Sequence, residues 1–296
     1  MDSSSFKQEN RMAIYFIAPT FILIIILFFY PLARTIIDSL FKSSLVLPKP
    51  KFVGFGNYID VLKDPTFYQI LKNSVLWTVV VVIFQFLLGL GSAFLLHKWF
   101  PGRDIVRALI ILPWIVPGVI TGMLWMLLYD PQLGMINNIL YQLGIIGEYM
   151  TWLSDKNTAL FSVILVAIWK GFPFSALMYM AALQGVNQEL IEAVKIDGAG
   201  RWGQFFHIII PEISPIIRTT LLLTTVWTFN YFELIYIMTN GGPGTSSHIF
   251  PTYIYNLAFT RFRFGLASTY ALITFAMLSI FSVLYLRELE KRKMLD

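Results

Sequence analysis

The sequence predicts an all-α, polytopic membrane protein with six transmembrane helices. Of its 296 residues, 57% are hydrophobic and only 13% are charged, and the mean hydropathy is +0.68. So few ionisable groups cannot solvate the surface of a globular protein of this size. The apolar residues are also gathered into long runs. Crossing about 30 Å of hydrocarbon takes roughly 20 mostly apolar residues, and such runs lie near 12–33, 71–96, 106–129, 159–183, 214–239 and 264–286. Runs such as "FILIIILFFY" and "WTVVVVIFQFLLGLG" do not alternate between apolar and polar residues, which argues against a barrel of tilted strands.

Each run carries its own signals. The first, 12–33, is long and lacks a small-residue cleavage site just after it, so it is expected to be a retained span. In the third, Pro113 and Pro117 predict a bent helix, and Gly118 with Gly122 predict close helix packing. The fourth holds "WKGFPFSAL", with Lys170, Gly171 and Pro173 near mid-membrane. Pro173 removes a helical hydrogen bond and Gly171 loosens the backbone, so a kink or a short unwound turn is expected there. Non-helical backbone at that depth is tolerated only beside protein or a wet cavity, and an intramembrane lysine points the same way.

Charge orients the chain. "HKWFPGRDIVR" and "RELEKRKM" are dense in base, whereas the long 130–158 loop carries only Lys156. The positive-inside tendency then places both termini in the cytoplasm. A net charge of +5 and a pI near 9.3 do not indicate nucleic acid here, because basic excess in a membrane chain usually marks cytoplasmic loops. The chain has no cysteine, which excludes disulfides and thiolate chemistry. His97, His207 and His248 fall outside the span centres and no HExxH occurs, so neither a metal site nor an intramembrane protease is expected.

In this orientation residues 184–213 form the largest cytoplasmic loop. Asn187 is placed to cap a short helix from Gln188 to Ile196, with Glu189 in its first turn. Gly198 and Gly200 allow a sharp turn, and "RWGQFFHIII" then runs to Pro211, which disfavours continuation. Two short helices beneath the membrane are expected. Physics alone leaves two roles open for them, a docking element for another protein and an ordered connector.

The stretch "EAVKIDGAGRWGQFFHIIIP" resembles the EAA loop of permease subunits in bacterial ATP-binding-cassette importers, through Glu192-Ala193-Val194, Asp197-Gly198-Ala199, Phe205 and Pro211. Val194 stands where that pattern usually has a second alanine. "FVGFGNYIDVLKDPTFYQILKNS", "PGRDIVRALIILPWIVPGVITGMLW" and "TNGGPGTSSHIFPTYIYNLAF" resemble further segments of the sugar-importer branch, of the maltose and glycerol-phosphate type, first permease. The similarity covers almost the whole chain and implies a single transmembrane permease domain over 1–296. It implies that Glu192, Ala193, Asp197, Gly198 and Ala199 couple the spans to a cytoplasmic ATPase dimer. It also implies a second, different permease, an extracellular solute-binding protein and a carbohydrate cargo. ATP and Mg would be bound by the partner ATPase, in keeping with the lack of a GxxxxGK[ST] loop on this chain. No cofactor of its own and no enzymatic activity are expected.

Substrate-binding residues are expected in the fourth and fifth spans: Lys170, Gly171, Phe174, Trp227, Thr228, Asn230, Tyr231 and Glu233. Aromatic faces stack on the C–H faces of a sugar ring, while amides, hydroxyls and an ammonium bond its oxygens. The resemblance adds that family members with cargo between the spans contact it from turns matching Ala167, Lys170, Gly171 and Phe174, and Trp227, Thr228 and Tyr231. Two alternatives stay open: the aromatics pack only against helices, and Lys170 pairs with Glu233 to join two spans. The competing functions are a self-sufficient secondary carrier, a membrane scaffold, and an importer of a polyol or glycerol phosphate ester. The mitochondrial-carrier type of secondary carrier would show a threefold Pro-x-Asp/Glu repeat, which is not visible here.

Overall fold

The computed structural model describes residues 3–44, 49–187, 189, 190, 192, 195, 198 and 200–293. Helices dominate, as the sequence predicts. The chain packs as two compact units, one of residues 1–64 with 254–276 and one of residues 65–253 with 277–296.

In the first unit, α1 (Ser3–Ile24) passes through a π-turn at Ile25–Phe29 into α2 (Tyr30–Ser39). Pro31 does not end this rod. It lies just after the wide turn, where the Tyr30 N–H reaches back to the Ile25 carbonyl and the hydrogen-bond ladder has already changed register. A two-stranded antiparallel hairpin follows, β1 (Phe41–Lys42) and β2 (Lys51–Phe52), with Phe41 opposite Phe52, and then α3 (Gly56–Lys63). Buried Asn57 ties these pieces together, donating to the carbonyls of Ser39 at 2.7 Å and Phe41 at 3.0 Å.

The second unit is built on α4 (Pro65–His97) lying along α8 (Ala159–Gln184). Between them come α5 (Arg103–Ile115), α6 (Gly118–Leu128) and α7 (Met135–Gln142). After α8 follow α9 (Arg201–Gln204), α10 (Ile210–Phe229), α11 (Glu233–Thr239) and α12 (Phe250–Tyr255). The last helix, α13 (Phe264–Lys293), runs from the first unit into the second. Residues at four-residue spacing on α4 form its buried stripe: Asn73, Trp77, Val81, Gln85, Gly89 and Ala93. Gly89 makes the contact with α8 close, because a Cβ there would lie 2.6 Å from the Ser175 Cβ and 3.0 Å from the Ala176 nitrogen.

Five helical runs are long and apolar enough to cross a membrane: Ile14–Ser39, Pro65–His97, Ala159–Gln184, Arg201–Thr239 and Phe264–Lys291. The sixth expected span, 106–129, is α5 plus α6, bent by 98° at Val116–Pro117. The cause is local. Pro117 pushes its predecessor out of the helical region, and Val116 has φ −62° and ψ 128°.

Two other expectations are corrected. Of the kink or short unwound turn expected around Lys170–Pro173, the unwound turn is not formed, since α8 runs unbroken from Ala159 to Gln184 with Pro173 inside it. Unwinding occurs instead between α10 and α11, at 230–232. Nor does Pro211 end a separate short helix. A π-turn at Phe205–Ile209 links α9 to α10, and Pro211 again follows the wide turn, where its missing N–H is least disruptive.

Candidate functional site

Four helices meet in the second unit around a cavity of about 160 Å³. From α8 come Ala167, Lys170, Gly171 and Phe174, and from α10 and the turn after it Thr224, Trp227, Thr228 and Tyr231. Both sets have spacing i, i+3, i+4, i+7, which is one face of a helix. Trp77, Val81 and Gln85 of α4 and Trp114 of α5 complete the lining. Six of the eight expected cargo residues therefore come together here. Asn230 and Glu233 do not join them: Asn230 is exposed and donates to its own helix at the Val226 carbonyl, and Glu233 is exposed at the start of α11.

The wall is aromatic. Phe174 stands between Trp114, at a centroid distance of 6.1 Å, and Trp227, at 5.1 Å. Trp227 remains half exposed, so its ring is not consumed by packing within this chain. Behind the wall, Trp77 is fully buried, lies 6.1 Å from the Tyr231 ring, and donates its indole N–H to the Thr228 carbonyl at 2.9 Å. That bond takes up a backbone acceptor at the place where α10 unwinds.

Gly171 is required for close approach rather than for unwinding. The buried Gln85 amide lies directly over it and donates to the Ala167 carbonyl at 3.1 Å. An added Cβ at Gly171 would sit 2.7 Å from the Gln85 Cδ.

Lys170 does not pair with Glu233, the acid the sequence suggested. Its ammonium donates to the main-chain carbonyl of Val116, at the break between α5 and α6. Among the described residues it forms no ion pair with Glu233 within 4.0 Å. The Glu233 carboxylate instead lies against Gly118, where a Cβ would come 3.0 Å from the carboxylate carbon and 3.4 Å from the Tyr231 hydroxyl. Gly122 is approached in the same way by Ile237, so the pair of glycines does serve close packing of α6 on α11.

A second, larger cavity of about 470 Å³ lies among Tyr129, Asp130, Ser154, Thr239, Asn240 and Pro243. The N–H groups of Leu133 and Gln132 bond the Asp130 carboxylate at 2.8 and 2.9 Å and hold its carboxyl below the usual carboxylate range.

In the 184–213 loop, Asn187 caps as the sequence predicts, its side-chain oxygen accepting the Glu189 N–H at 2.9 Å. Glu189, Leu190, Glu192 and Lys195 are helical. Gly198 ends that turn with φ +88°, its N–H bonded to the Lys195 carbonyl at 3.2 Å. Ala193, Val194, Asp197 and Ala199 lie outside the described residues. Phe205 anchors the following stretch to α4 by packing on Phe94 at 4.8 Å, while Trp202 stacks on Phe206 and stays 75% exposed.

Sequence reasoning missed Trp77, Val81, Gln85, Trp114 and Thr224 as lining residues. One signal was present: Gln85 is the only amide in the run 77–91, and it lies four and eight residues after Val81 and Trp77.

The chain is similar to known proteins over most of its length. Against the probable ABC transporter permease protein YurN of Bacillus subtilis the chain is 34% identical over 273 residues, covering 90% of this chain and 92% of the relative. It is 34% identical to the sulfoquinovosyl glycerol transport system permease protein SmoG of Agrobacterium fabrum, covering 94% and 90%. It is 31% identical to the trehalose/maltose transport system permease protein MalF of Thermococcus litoralis, covering 95% and 94%. Its fold is like that of a chain in the crystal structure of a bacterial ABC transporter that imports the acidic polysaccharide alginate, with a TM-score of 0.83 at 22% identity over 98% of this chain and 99% of that one. Residues 85–294, which hold most of the cavity lining and the whole capped loop, match the binding-protein-dependent transport system inner membrane component family. The chain belongs to that family, as a multi-pass permease subunit of an ABC importer.

Proposed function

We propose that this permease passes a sugar or oligosaccharide through the cavity between α4, α5, α8 and α10. The aromatic wall of Trp114, Phe174 and Trp227 carries the proposal. Three rings from three helices, one of them half exposed, offer stacking surface for the C–H faces of a sugar, and the Thr228 and Tyr231 side chains lie beside them. Several relatives are named for carbohydrate cargo, which supports the same reading. At about 160 Å³ the cavity is smaller than the roughly 300–1,000 Å³ of complete small-molecule sites. A second, different permease facing it would complete the passage.

As a transport subunit the chain is not an enzyme. ATP and Mg are bound by a cytoplasmic ATPase dimer, and the capped helix around Glu192, closed by Gly198, docks into that partner. Ala193, Asp197 and Ala199, which belong to the same EAA-like stretch of sequence, share that coupling role. Both termini lie in the cytoplasm, and an extracellular solute-binding protein delivers cargo to the opposite face. Alternating exposure of the cavity then follows from motion that ATP drives in the partner.

Reconstitution tests this. The chain alone in liposomes should transport nothing, whereas addition of the cognate second permease, ATPase and binding protein should give ATP-dependent sugar uptake. Transport by the chain alone would identify a secondary carrier, and uptake of a glycerol phosphate ester in preference to sugars would identify the alternative cargo.

A further inference from the structure

The contact made by Lys170 is with a main-chain carbonyl and not with a carboxylate. We propose that Lys170 is a positioning residue whose ammonium ties the elbow of the third span to α8, so that both arms of that span move with α8 during transport.

The elbow leaves the last carbonyls of α5 without helical partners. The α5 ladder ends with the Val116 N–H on the Leu112 carbonyl, and the α6 ladder starts with the Thr121 N–H on the Pro117 carbonyl. The Val116 carbonyl belongs to neither ladder, and among the freed carbonyls it is the Val116 one that the Lys170 ammonium bonds. The contact satisfies both groups, since a carbonyl freed from its helix and a partly buried ammonium each gain a hydrogen bond. The tie also lies where it has leverage. The α6 arm is seated on α11 through Gly118 and Gly122, and the α5 arm packs on α8. Lys170 joins α8 at the joint between these arms. Trp114 is held separately by its ring contact with Phe174, so loss of the tie leaves the aromatic wall in place.

The absence of cysteine makes the test clean. Spin labels on cysteines introduced at Leu109 of α5 and Leu124 of α6, which are 58% and 51% exposed, report the elbow geometry in the assembled importer. A hydrogen bond from a charged donor shifts a two-state equilibrium by roughly ten- to a hundredfold. In Lys170→Met the 109–124 distance distribution should therefore broaden, and the maximal uptake rate should fall roughly tenfold or more. The KM for cargo should stay within about twofold. Lys170→Arg, which keeps a charged donor, should restore both readouts. Should the Met variant fail to assemble, Lys170→Ala removes the donor without crowding and is read by the same criteria. A wild-type distance distribution in the donorless variant overturns the proposal, as does a rise in KM at unchanged maximal rate. The uptake readout rests on the cavity being the cargo route, but the distance readout does not, so failure of one reading is separable from failure of the other.

Discussion

Adding one methyl group at Gly171 should destabilise the chain through a single neighbour, Gln85. The new carbon would lie 2.7 Å from the Gln85 Cδ and 3.2 Å from its Oε1, closer than either can remain. Gln85 is 7% exposed, so its amide has no nearby solvent to retreat to, and displacing it breaks the 3.1 Å bond to the Ala167 carbonyl. A buried amide left unsatisfied costs about 1–3 kcal/mol, and overpacking costs about 1–3 kcal/mol more. Replacing helical glycine by alanine returns roughly 0.5–1 kcal/mol. Gly171→Ala should thus cost about 3 kcal/mol in a Gln85 background and become neutral or slightly stabilising once Gln85 is alanine. Denaturant unfolding of the four members of this cycle in mixed micelles measures the difference. Equal destabilisation in both backgrounds would refute the steric explanation for Gly171.

Three further outcomes are expected. Trp114→Ala removes one ring of the wall and should raise the KM for sugar uptake about two- to tenfold at unchanged maximal rate, measured in the reconstituted importer. Gly198→Ala forces a side chain into φ +88°, a conformation that costs about 1–2 kcal/mol. It should lower the sugar taken up per ATP hydrolysed without impairing membrane insertion. The Asp130 carboxyl is held below its ordinary value by the Leu133 and Gln132 N–H groups, so the 130–133 turn is favoured above the unfolded carboxyl's pKa and loosens as pH falls through the lower folded one. Hydrogen exchange at Gln132 and Leu133 should accelerate at that acid end relative to the rest of the loop, and Asp130→Asn should abolish the dependence.

The helices were legible because burying twenty backbone units in hydrocarbon demands an apolar run, and the runs stand out at every expected span. The Asn187 cap and the bend at Pro117 were legible for a similar reason, since each depends on residues within a few positions. What escaped depends on neighbours. Pro173 reads as a kink or a short unwound turn, yet α8 stays helical through it while packed along α4, and the prolines at 31 and 211 follow wide turns whose position the sequence does not advertise. The lining residues Trp77 and Trp114 sit in apolar runs where the face turned to the cavity is decided by packing. The partner of Lys170 was out of reach because the acceptor is a backbone carbonyl freed by the elbow, and no side-chain pattern marks it. The resemblance to importer permeases picked out the α8 and α10 faces, whereas the α4 face was readable only from the four-residue spacing of Trp77, Val81 and Gln85.

Photo-crosslinking of cargo inside the working importer bears on all of this at once. With benzoylphenylalanine in place of Trp227, and the binding protein, second permease, ATPase, ATP and radiolabelled sugar present, illumination should attach label to this chain. The same group at Phe28, an exposed position on the first span, should attach none. An importer that still takes up sugar under these conditions but labels position 227 no more than position 28 would place the cargo route elsewhere.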